Sequence, residues 1–161
     1  MKRLSSVLIA VMVVFISGAV QASVLAHFDG KPAAIDDYAG KGKWLVVMIW
    51  ASDCHVCNQE VENYDLFHNA HKNQDAIVLG ISIDGRQGLG EAKKFISRHQ
   101  VDFPNLIGEP EAVTEMFTGL TGVSWVGTPT FLIYNPAGKL VVQQIGAVPV
   151  ELIESFIKRN S

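Results

Sequence analysis

Seven consecutive apolar residues, Trp44-Leu45-Val46-Val47-Met48-Ile49-Trp50, constrain the fold more than any other stretch of the chain. The run is rich in β-formers and does not alternate with polar residues, so as a strand it has no face for water. Such a strand needs helices above and below its sheet, which places the chain in the α/β class. Residues 76–84 (AIVLGISID) repeat the pattern. Between the two runs, residues 54–71 contain no Gly or Pro, and Val61, Tyr64 and Phe67 recur near helical spacing among Glu60, Glu62 and Asp65. The expectation is strand, helix, strand, then a helix over 90–99, a short strand over 103–107 and a helix over 111–120. Asn135-Pro136-Ala137-Gly138 between the apolar runs 130–134 and 140–144 predicts a hairpin, and 151–159 a closing helix with acid first and Lys158-Arg159 last. Segments 28–32 and 38–43 read as loops.

The 161 residues carry 13 Lys+Arg against 16 Asp+Glu and no extended basic cluster, which argues against nucleic-acid binding and fits one folded domain. The first 22 residues stand apart. Lys2-Arg3 precede an uncharged run, and Val20-Gln21-Ala22 presents small or modest residues where a signal peptidase reads. The apolar core over 7–20 is 14 residues long and includes Ser17 and Gly18, short of the ~20 a membrane span needs. The expectation is a cleaved signal over 1–22, a domain over 23–161 and export to the periplasm or beyond, without stable membrane insertion after cleavage. The alternative is an anchor formed by residues 4–22.

Exported proteins use disulfides to join distant parts of the chain, yet the only two cysteines here are Cys54 and Cys57, in Cys54-His55-Val56-Cys57. A bridge across so short a loop constrains the unfolded chain little, so the pair reads as chemistry rather than as a staple. A strand ending near Trp50 and delivering Cys54 to a helix start provides the setting that thiolate chemistry requires: unpaired backbone N–H groups and the positive end of the dipole favour the anion. The spacing also puts Cys57 on the same side of the helix, able to close the ring. Zinc is the competing use, with His68 and His71 as partners, but within one helix His68 lies about 16 Å from Cys57. Haem attachment needs His directly after the second Cys, where Asn58 stands.

Residues 50–57 (WASDCHVC) resemble the active site of the thioredoxin fold. Residues 127–138 (GTPTFLIYNPAG) resemble the cis-proline loop and hairpin of TlpA/ResA-like exported thiol-disulfide oxidoreductases, and the resemblance runs over residues 28–160. It implies a thioredoxin-like α/β fold, a central mixed sheet flanked by helices. It also implies a cis Thr128–Pro129 bond beside the cysteines, with Trp50, His55, Thr128 and Pro129 contacting substrate. Glu60 matches the acid that ResA-like proteins place three residues after the second Cys, where it can shuttle the Cys57 proton; thioredoxin's own buried acid is replaced by Met48. Two departures stand out: Asp53 where the family often has Trp, and Val56 where it often has Pro. Asp53 suits a helix N-cap, and its charge opposes a Cys54 thiolate that a protonated His55 would favour. Trp125 reads either as a substrate-facing aromatic or as core, and His27 and His99 have no partner visible in the sequence.

The leading expectation is therefore a thiol-disulfide oxidoreductase without a bound organic cofactor or metal. Cys54 attacks and Cys57 resolves, the enzyme reducing client protein disulfides and being recharged by a membrane thiol-disulfide electron donor. Alternatives are a disulfide oxidase or isomerase, a copper(I) chaperone using the two soft thiolates, and a redoxin-type peroxidase, for which the Pro/Thr-rich run before the cysteine is missing.

Overall fold

The computed structural model describes residues 23–161; the expected signal over 1–22 lies outside the described residues. Strand β3 (Trp44–Trp50) is buried along its whole length. It pairs in parallel with β4 (Ala76–Ser82), which pairs in parallel with β5 (Asn105–Gly108). On its other side β3 pairs antiparallel with β6 (Thr130–Tyr134), the first arm of the hairpin completed by β7 (Leu140–Ile145). With β1 (Leu25–His27) and β2 (Pro32–Ala33) on the far side of β5, the sheet order is β2-β1-β5-β4-β3-β6-β7.

Alternate residues of β3 build the two halves of the core. Trp44, Val46, Met48 and Trp50 face helices α1 (His55–His71), α2 (Leu89–Arg98) and α4 (Val150–Asn160), meeting Val61, Tyr64, Phe95 and Ile157. Leu45, Val47 and Ile49 face the opposite layer, where α3 (Pro110–Thr121) contributes Val113 and Phe117 and a 3-10 turn contributes Ile35. Gly122, left-handed at φ 71°, closes α3, a conformation that costs glycine little.

The expected elements are present with shifts of one or two residues at their ends. The addition is a short antiparallel pair, β1 (Leu25–His27) and β2 (Pro32–Ala33), around the turn at 28–31, with β1 docked antiparallel on β5. Strands of three and two residues are too short to carry a period. They form because β5 offers β1 an edge and β1 in turn offers one to β2.

Candidate active site

The parallel strands all run toward one end of the sheet, where ligands of open α/β sheets gather. At that end β3 stops at Trp50, and a three-residue loop leads to α1, whose N-cap is Cys54 itself. The Cys54 Sγ accepts the Cys57 backbone N–H at 3.1 Å. The sulfur thus occupies the place expected for the Asp53 carboxylate, and Asp53 stands exposed just outside the helix. No acidic residue lies in the first turn, so its amide dipoles are left to the sulfur.

Cys54 and Cys57 are joined in a disulfide, with Cα atoms 5.2 Å apart. Cys54 is half-buried, whereas Cys57 is 0% exposed beneath it. An incoming sulfur therefore meets Cys54. The loop before Cys54 is tied down by Asp84, whose carboxylate accepts the Ser52 backbone N–H and hydroxyl, and by the Asn58 side chain, whose Nδ2 donates to the Cys54 carbonyl at 2.8 Å.

The Thr128–Pro129 peptide is cis. Thr130, the next residue, pairs with Ile49 at the end of β3, which brings the proline to the same sheet end as the cysteine loop. Its loop is braced from within: the Thr130 hydroxyl donates to the Gly127 carbonyl at 2.6 Å and accepts the Trp125 indole N–H at 3.0 Å. Gly127 sits at φ 148°, a conformation open to glycine. Trp125 is half-buried against the α3 side of the core, so its indole supports the loop, while its neighbour Val126 is 78% exposed.

The other anticipated site residues separate clearly. Trp50 belongs to the core rather than to a substrate surface: it is 1% exposed, stacked on Phe95 at 4.2 Å, with its indole N–H on the Asn105 side-chain oxygen. His55 and Val56 are exposed between the cysteines. Glu60 is half-buried one helical turn after Cys57, and its charge adds to burial in raising the Tyr64 hydroxyl above the usual tyrosine range. Met48 is fully buried in the same cluster as Cys57. His68 is turned away from the cysteines, its Nδ1 accepting the Val78 backbone N–H at 3.0 Å. His27 lines a cleft of about 380 Å³ beside β1, with Phe28, Arg86, Leu89 and Glu109, and neither cysteine is in its wall. His99 does have partners, Asn58 and Glu62, on the helix that carries the cysteines. Sequence reasoning missed Asp84, which lies 32 residues from the Ser52 it holds, His99, which lies 41 from Asn58, and Asn58 itself, although it stands only four residues from the Cys54 carbonyl.

The chain is 25% identical over 136 residues to the thiol-disulfide oxidoreductase ResA of Bacillus thuringiensis (strain Al Hakam), a match covering 84% of this chain and 73% of that protein. Among solved structures, the thioredoxin domain of a thiol-disulfide oxidoreductase from Bacteroides vulgatus superposes with a TM-score of 0.65 at 23% identity, over 87% of this chain and 99% of that one. The exposed lipoprotein thioredoxin of Streptococcus pneumoniae gives 0.64 at 25% identity, over 84% and 96%. The fold is thioredoxin-like. Residues 18–143 match the AhpC/TSA family profile, and the chain belongs to that family.

Proposed function

We propose that this protein is an exported thiol-disulfide oxidoreductase that reduces disulfides of client proteins. The observation that carries the reading is the asymmetry of the cysteine pair: Cys54 is reachable and capped by an amide, while Cys57 is sealed beneath it within disulfide reach. The name of the Bacillus relative supports the activity class.

In the reduced enzyme the Cys54 thiolate attacks one sulfur of a client disulfide, forming a mixed disulfide and releasing a client thiolate. Cys57, having lost its proton, then attacks the Cys54 sulfur, releasing the second client thiolate and closing the Cys54–Cys57 bond. Two electrons pass to the client, whose thiolates take up protons. Glu60, one turn beyond Cys57, is the candidate base for the Cys57 proton. Thr128 offers backbone to the client chain, the buried Pro129, whose carbonyl accepts the Gly146 N–H at 2.8 Å, shapes the loop beneath it, and exposed His55 borders the same opening. A membrane-bound dithiol donor returns the enzyme to its reduced form.

Export rests on the signal-like segment over 1–22 and on the similarity to the pneumococcal thioredoxin, which is described as an exposed lipoprotein. Among the described residues no helix is long and apolar enough to cross a membrane. A copper(I) chaperone and a peroxidase use the same cysteines, so metal retained by the reduced protein, or peroxide consumption without a client, would displace this reading.

The test pairs labelling with turnover. The reduced protein near neutral pH should be alkylated first at Cys54 and should reduce a model protein disulfide such as insulin. Cys54→Ser should abolish turnover, and Cys57→Ala should accumulate a mixed disulfide. Labelling of Cys57 first, or a Cys57→Ala variant that turns over freely, would overturn the assignment.

A further inference from the structure

Asn58 follows the second cysteine, and its side-chain amide is held at both ends. Its Nδ2 faces two carbonyl oxygens, those of Cys54 at 2.8 Å and Ser52 at 3.2 Å, which only accept hydrogen bonds. Its Oδ1 therefore faces donors: the His99 Nε2 at 3.0 Å and the more distant Arg98 guanidinium at 3.4 Å. The His99 ring is in turn packed on Phe95, whose ring centroid lies 4.9 Å away, while the Glu62 carboxylate 3.4 Å from Nδ1 becomes a partner only when the ring is protonated. Its side chain is 11% exposed, in contrast to the open Glu62 at 71%.

We infer that His99 is a positioning residue for Cys54, acting through Asn58 to hold the sulfur in its N-cap geometry. The Cys54 carbonyl is the lever. It accepts both the backbone N–H of Asn58 and its Nδ2, and these two bonds fix the extended turn of Cys54 that aims Sγ at the Cys57 N–H. An amide donating to these carbonyls also offsets their negative ends, which would otherwise oppose a thiolate nearby. Without the His99 donor the Asn58 oxygen keeps only the longer Arg98 contact, and the grip of its amide on the Cys54 and Ser52 carbonyls, and with it the placement of the sulfur, loosens. The other charged groups around Cys54 are Asp53 and His55, both exposed, the half-buried Glu60 on the same helix and the half-buried Asp84 carboxylate on the Ser52 loop; around His99 they are Glu62 and Arg98.

This inference rests on Cys54 as the attacking sulfur, and its test reads the ionisation of that thiol without any client. The reduced protein is titrated by thiolate absorbance at 240 nm and by iodoacetamide alkylation of Cys54 across pH, as wild type, His99→Ala, His99→Gln and Asn58→Ala. His99→Ala should move the Cys54 titration upward and slow its alkylation at pH 7 about three- to ten-fold, the scale of a lost cap interaction. His99→Gln, which keeps a side-chain N–H donor, should recover most of the rate. Asn58→Ala should reproduce the shift, and His99→Ala added to it should change nothing further. An unshifted Cys54 in His99→Ala, a Gln variant no better than Ala, or shifts that add in the double variant would each overturn the inference. A loss of client reduction with normal thiol titration would count against the proposed function and leave this network intact.

Discussion

Asp84 holds Ser52 by both of its donors. The Ser52 hydroxyl donates to Oδ1 at 2.7 Å and its backbone N–H to the same oxygen at 3.1 Å, while Oδ2 accepts the Ser82 hydroxyl at 2.6 Å. The carboxylate thereby pins the loop between β3 and α1 to the end of β4, and the position of Cys54 follows from it. Charge-assisted bonds of this kind are the stronger ones.

Asp84→Ala leaves two hydroxyls and one backbone N–H without their acceptor. We expect a loss of about 2–3 kcal/mol by urea unfolding, with slower Cys54 alkylation because the loop is released. Asp84→Asn keeps one oxygen acceptor and should lose roughly half as much. Equal stability in all three proteins would show that the loop is held elsewhere.

Gly80 offers a purely steric test of the sheet beneath the site. A Cβ there would run into the Asn105 side-chain oxygen and lie 2.8 Å from the Trp50 indole nitrogen. Those two atoms are bonded to each other at 3.0 Å, so neither can move without breaking the pair. Gly80→Ala should cost about 1–3 kcal/mol in chemical denaturation, although alanine is otherwise the better strand residue. A neutral substitution would show that the Trp50–Asn105 contact is slack.

The layers of the fold were legible because local pattern and burial agree: an unbroken apolar strand such as Trp44–Trp50 has few ways to be covered. The cysteine pair was legible because Cys54 and Cys57 are adjacent in the motif, and the proline because its flanking residues resemble a known loop. The bracing was not. Asp84 reaches back 32 residues to Ser52, and His99 reaches 41 to Asn58. Such polar pairs have no period and form only once β4 and α2 are seated, so a lone Asp or His in the sequence looks like any surface residue. Trp50 shows the opposite error: its place in the motif suggested contact with substrate, yet the last residue of a strand covered on both sides is core.

Glu60 is open to a kinetic test. Glu60→Gln preserves the shape of the side chain and removes its ability to take a proton. Resolution of a Cys54 mixed disulfide should slow by about 10- to 100-fold at neutral pH, and the acid limb of the pH–rate profile should change. Alkylation of Cys54 should stay as in the wild type, since the effect falls on Cys57. An unchanged profile would leave Glu60 as an ordinary helix residue.

His68 makes stability depend on pH in a predictable direction. The ring is 6% exposed, and its Nδ1 is the acceptor for the Val78 backbone N–H. Accepting there requires an unprotonated Nδ1, and burial, helped by Lys72, pulls the histidine below its usual value against the weaker pull of Asp65 and Asp102. In the unfolded chain the same group titrates near ~6.5. Below that pH the unfolded state takes up a proton that the folded state refuses, so this contribution is complete above about 6.5 and is lost as pH falls toward the depressed folded value. His68→Leu removes the titration but strands the Val78 N–H, so it should be less stable at pH 8 by about 1–3 kcal/mol. The gap between wild type and variant, followed by urea unfolding from pH 8 to pH 5, should narrow as the pH drops. A gap that stays constant or widens would mean that His68 does not titrate differently in the two states.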